Sequence, residues 1–174
     1  ASDPPTFLHG DRPLHALGRA YLNALLAYRR HDATPLILEA VAGGTSIADV
    51  YLDVFQPVLR EVPRLWQTNR ASVALEHYCT AATQVVMAQL APQVFAAERI
   101  GRTLVATCVG DELHEVGVRM VADCCEMAGW DALYLGANVP SASVIKTLVE
   151  QRADVLGVSV TMTAHLATVT DLIA

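Results

Sequence analysis

Leu14, Leu17, Tyr21, Leu25 and Tyr28 recur at steps of three and four residues, which draws one apolar stripe along a helix. The same period continues to about residue 100 and predicts helices over 13–31, 34–42, 46–66 and 70–90. Pro13 suits a first helical turn, Gly43 and Gly44 end the second helix, and Ser46 caps the third. Pro57 and Pro63 are expected to kink or split that third helix, since proline removes a ladder donor and clashes with the preceding turn. Helices of this length joined by short loops predict a compact bundle over 1–95.

From Gly101 the grammar changes. A short apolar run over 103–108 is followed by a helical pattern over 115–128, a second run over 132–135, a helix over 142–152 and a third run over 155–160. That β-α-β-α-β order predicts a parallel sheet with right-handed crossovers, a Rossmann-like (flavodoxin-like) domain over 101–174, joined to the bundle by a linker over 92–102. A complete doubly wound sheet has further strands, so the domain reads as C-terminally incomplete.

Composition narrows the function classes. The net charge of -6 comes with only 12 Lys and Arg, scattered rather than clustered, which excludes the electrostatic footprint of direct nucleic-acid contact. No apolar run approaches the roughly 20 residues that span a bilayer: the stretch over 85–97 is broken by Gln89, Pro92 and Gln93. Four cysteines, Cys79, Cys108, Cys124 and Cys125, are too few for a disulfide scaffold, and a reducing cytoplasm fits them best. Cys108 reads as a small core residue, and His9, His15, His31 and His165 stand outside any motif and are expected at the surface or satisfied.

Ligands of open α/β sheets bind beyond the carboxyl ends of the strands, where strand order reverses. Two polar segments fall there: Gly110-Asp111-Glu112-Leu113-His114-Glu115-Val116-Gly117 after the first strand, and Ser159-Val160-Thr161-Met162-Thr163 after the third. His114 with Glu112 two residues back has the pattern of a metal-ligating imidazole whose second nitrogen is held by a carboxylate, with Ser159 expected to extend the relay to Glu112. Gly117 would let a large planar ligand approach the backbone.

Glu112-x-His114-x-x-Gly117 followed by Ser159-x-Thr161 resembles the cobalamin-binding signature of corrinoid proteins, and the order of helical bundle then Rossmann-like domain resembles that family too. The resemblance implies base-off cobalamin with His114 on cobalt and Glu112 as its partner. It also implies that Ser159 and Thr161 line the pocket of the nucleotide tail, and that Leu113, Glu115, Val116, Gly117 and Thr163 bind the cofactor.

Trp66 followed after nine residues by Glu76-His77 is similar to the pattern of adenosylcobalamin-dependent photoreceptors related to carotenoid-synthesis repressors. That likeness implies an upper-face cap of Trp66, Val73, Glu76 and His77 around an adenosyl group. It also implies a light sensor in which photolysis drives signalling to an output domain or partner protein outside this chain, and it allows a homo-oligomer. Gln67 stands where such sensors carry a histidine, so water is expected at the vacated upper site. The alternative function is a corrinoid carrier subunit of a methyltransferase system.

Overall fold

The computed structural model describes residues 7, 8, 10, 11 and 13–173; the first six residues, His9, Arg12 and Ala174 lie outside them. The chain divides into two compact units, Ala1–Ala91 and Pro92–Ala174.

The first unit is helical: α1 (His15–Leu26), α2 (Arg30–Ala42), α3 (Ile47–Val50), a π-helical turn (Tyr51–Phe55), α4 (Gln56–Gln67) and α5 (Val73–Val94), whose last residues continue past the unit boundary. The helix expected over 13–31 stops five residues early. Tyr28 takes a left-handed conformation (φ 57°), and the N–H groups of Tyr28 and Arg29 return to the carbonyls of Leu25 and Ala24, which satisfies the last turn of α1. Tyrosine rarely occupies that conformation, so the sequence carries no stop signal there. Tertiary contacts hold it: the Tyr28 and Tyr78 rings lie 5.0 Å apart, and the Tyr78 hydroxyl accepts from the Arg30 N–H.

Gly44, at φ 101°, ends α2, and the Ser46 hydroxyl accepts from the Asp49 N–H at 3.0 Å. The helix expected over 46–66 is divided as its prolines require. Pro57 falls in the first turn of α4, directly after the π-helical turn, whereas Pro63 sits inside α4 without ending it. Pro92 likewise lies inside α5, so the linker begins at Phe95 rather than at 92. The core of this unit gathers Tyr21, Leu25, Ile37, Val54, Phe55, Val58, Met87 and Leu90, all buried. A deep polar link joins the Tyr21 and Thr83 hydroxyls at 3.1 Å, and Thr83 passes the chain on to the Cys79 carbonyl.

The second unit contains β1 (Thr103–Cys108), α6 (Val116–Met127), β2 (Asp131–Gly136), α7 (Ser141–Gln151), β3 (Val155–Ser159), a 3-10 turn (Thr163–His165) and α8 (Leu166–Ile173). The strands form a parallel sheet in the order β2-β1-β3, with Val105 opposite Leu133 on one side and Leu156 on the other. β1 is central and buried from Leu104 to Cys108, and α6 packs Val118 and Ala122 against it. This is the Rossmann-like architecture expected from the sequence. Strand order reverses at β1, so the carboxyl ends of β1 and β3 meet in the crevice where such sheets hold ligands.

Candidate functional site

The two ends are tied by a hydrogen bond from the Val109 N–H to the Ser159 carbonyl at 3.2 Å. The chain after β1 then turns at Gly110 (φ 43°), and the Glu112 N–H returns to the Val109 carbonyl at 2.9 Å. That turn drives the Glu112 side chain inward, where it is fully buried.

A buried carboxylate persists only if its oxygens are satisfied, and those of Glu112 are. Oε1 accepts from the His114 backbone N–H at 3.1 Å and from the His114 ring Nδ1. Oε2 accepts from the backbone N–H groups of Thr161 at 2.8 Å and Met162 at 3.0 Å, and lies 3.4 Å from Nδ1 of His165. Burial pushes the Glu112 carboxyl up, but the hydrogen bonds from the His114 ring and from the Thr161, His114 and Met162 amides together outweigh it and hold the pKa at about 2. Glu112 is therefore an anion that only accepts, so the proton between it and His114 sits on Nδ1. The lone pair of a neutral His114 ring is then on Nε2, in a side chain that remains 58% exposed.

One expectation changes here. Ser159 was expected to bond Glu112 through its hydroxyl; the partners of the carboxylate are instead the two amides beyond Ser159, because the chain leaving β3 aims successive N–H groups at it. His165, expected at the surface or satisfied, is half-buried and finds its partner in the same carboxylate. Its spacing from the motif carries no signal, since the 3-10 turn that delivers it lies 53 residues from Glu112 in sequence. Around this relay Leu113, Gly117, Thr161 and Thr163 are exposed, Glu115 and Ser159 are half-buried, and Val116 is buried in the first turn of α6. A Cβ added at Gly117 would meet nothing within 4 Å, so the backbone there faces open space. Cys108 is buried, and burial followed by the charges of Glu112 and Glu115 pushes its thiol up to about 11, which makes it a core residue rather than a nucleophile.

In the helical unit, Trp66 at the end of α4 and Val73 at the start of α5 are both exposed. Glu76 joins His77 through Nδ1 at 3.1 Å and accepts from the Thr80 hydroxyl at 3.3 Å. His77 is itself exposed.

Among the described residues no group of three or more His, Cys, Asp or Glu side chains is placed to hold a metal ion. A bare cation has no cage here. An exposed, carboxylate-backed imidazole at the mouth of a parallel sheet instead suits a metal that brings most of its own ligands, as the cobalt of a corrinoid does. The fold and this site fit a corrinoid-binding protein.

Comparison with known proteins agrees. Residues 102–174 match the family model of a B12 binding domain, and residues 17–91 match a second model of the same description. The chain thus carries two successive matches to B12 binding domains. It is 25% identical over 149 residues to dimethylamine corrinoid protein 1 of Methanosarcina acetivorans, covering 83% of this chain and 68% of the relative. It is 28% identical over 110 residues to dimethylamine corrinoid protein 3 of Methanosarcina mazei, covering 60% and 65% respectively. The chain thus spans about two thirds of the length of these relatives. In fold it is similar to the monomethylamine corrinoid protein of Methanosarcina barkeri, with a TM-score of 0.78 at 17% identity over 92% of this chain and 77% of that one. These relatives are corrinoid proteins named for methylamines, so they favour the alternative function over the light sensor expected from Trp66 and Glu76-His77. No helix among the described residues is long and apolar enough to cross a membrane.

Proposed function

We propose that this chain is a corrinoid carrier of a methyltransferase system, holding cobalamin base-off with His114 as the lower cobalt ligand. The observation that carries the reading is the Glu112–His114 relay, which fixes the imidazole tautomer and leaves Nε2 as the donor. The corrinoid relatives named for methylamines supply the reaction class. When bound, the corrinoid would supply a cobalt that accepts a methyl group and gives it up.

The residues of the chain would do the rest. Glu112 raises the donor strength of His114 and holds its ring at one angle. Leu113, Glu115, Val116 and Gly117 would lie beside the corrin, and Ser159, Thr161 and Thr163 along the tail pocket. Trp66, Val73, Glu76 and His77 form the candidate upper-face cap, with Trp66 and Val73 offering exposed apolar surface. The four free cysteines fit a reducing, cytoplasmic compartment.

The test is methyl transfer. Holoprotein reduced to cob(I)alamin is mixed with a methylamine and its methyltransferase, and the spectrum of methylcobalamin is expected to appear. Absence of transfer, together with an adenosylcobalamin form that bleaches in green light and changes its hydrodynamic radius, would replace the carrier with the light sensor and its adenosyl-specific cap.

A further inference from the structure

The chain has a second histidine on the buried carboxylate, and it belongs to no part of the motif. His165 sits at the end of the 3-10 turn after β3, with its side chain 24% exposed and Nδ1 3.4 Å from Glu112 Oε2. His114 occupies the opposite oxygen of the same carboxylate. Because the two imidazoles take different oxygens of one anion, they compete for its charge rather than for its space.

We propose that His165 is a positioning residue that tunes His114 through Glu112, drawing charge toward Oε2 and so limiting how strongly Oε1 pulls on the His114 Nδ1–H. The inference rests on the reading of His114 as the cobalt ligand. An anion that only accepts fixes the proton of that contact on the His165 Nδ1, so His165 is a donor there. With that donor gone, the charge of Glu112 concentrates on Oε1, the His114 ring gains imidazolate character, and its Nε2 becomes the stronger donor. A stronger axial donor stabilises the higher oxidation state of a metal, so the Co(II)/Co(I) midpoint potential falls. A purely structural role has the opposite sign: loosening Glu112 weakens His114 as a ligand and raises the potential.

The test uses His165→Ala and His165→Gln in the full chain, with two readouts. In the apoprotein, the imidazole 15N resonances of His114 are expected to move in His165→Ala and to stay near wild type in His165→Gln, whose amide N–H donates in place of the ring. After reconstitution with hydroxocobalamin and reduction, the Co(II)/Co(I) ratio at a fixed potential is expected to rise about threefold to tenfold in His165→Ala, about 30–60 mV for a one-electron couple. His165→Gln is expected to restore most of it. An unchanged His114 resonance in apo His165→Ala, or a potential that moves positive, overturns the proposal. If the resonance moves but a His114→Ala holoprotein keeps the wild-type spectrum, the coupling stands and it is the ligand reading that fails.

Discussion

Both the main chain and the ring of His114 reach one oxygen of Glu112: the backbone N–H donates to Oε1 at 3.1 Å, and Nδ1 joins the same atom. The second oxygen is engaged by the chain leaving β3, through Thr161 and Met162. Glu112 is thus both a clamp on the imidazole and a second polar link, beside the Val109–Ser159 backbone bond, between the chain segments after β1 and β3. Removing it would disturb the orientation of His114 and the closure of the crevice together.

His114→Ala is expected to leave the fold intact, because the ring is largely exposed, and to remove the lower ligand. Corrinoid affinity should fall by more than the roughly 10–100-fold that loss of a ligand's hydrogen-bonding partner typically causes. The absorption spectrum of the residual complex should move to a base-on or aquo form. A wild-type spectrum would show that His114 is not on cobalt.

Glu112 makes an acid-sensitive contribution to stability. Its folded pKa of about 2 lies below the ordinary 4.5, so the contribution is fully present above pH 4.5 and is lost as the pH falls from there through about 2. Glu112→Gln should be less stable than wild type at neutral pH, and the difference between their urea-unfolding free energies should shrink across that window. A difference that does not vary with pH would show that the carboxylate gains nothing from its buried setting.

Val73 tests the proposed cap without touching the lower ligand. Val73→Phe places a bulky ring at an exposed position in the first turn of α5, where overpacking of the helical core is not at issue. Adenosylcobalamin binding is expected to drop at least tenfold while methylcobalamin binding stays within about twofold, measured by titration in the dark; a tenfold loss is about 1.4 kcal/mol. Equal binding of both forms by variant and wild type would remove Val73 from the cap.

Gly129 is a purely structural control. It stands at φ 87°, and an added Cβ would run into the Glu98 carbonyl oxygen and come within 3.1 Å of Ile100 Cγ2. Gly129→Ala should lower unfolding stability by about 1–3 kcal/mol with no change in the corrinoid spectrum of the folded fraction. Wild-type stability would mean that the segment before β1 yields without cost.

What the chain determines by itself is local. The period of its apolar residues places α6, α7 and all three strands to within about two residues, because each of these elements reports its own burial through spacing. Glu112-x-His114-x-x-Gly117 is likewise contiguous, and it sits at a strand end that the same periodicity locates. What only the tertiary structure decides are the contacts between segments far apart in sequence. The left-handed Tyr28 is held by Tyr78, the amides of Thr161 and Met162 reach Glu112 across 49 and 50 residues, and His165 arrives on the same carboxylate across 53. Backbone N–H groups have no residue signature, and a histidine delivered by a turn has no period. Their partners are chosen by where the chain comes to rest after β1 and β3 have paired, and a buried anion takes whichever donors that pairing brings within reach.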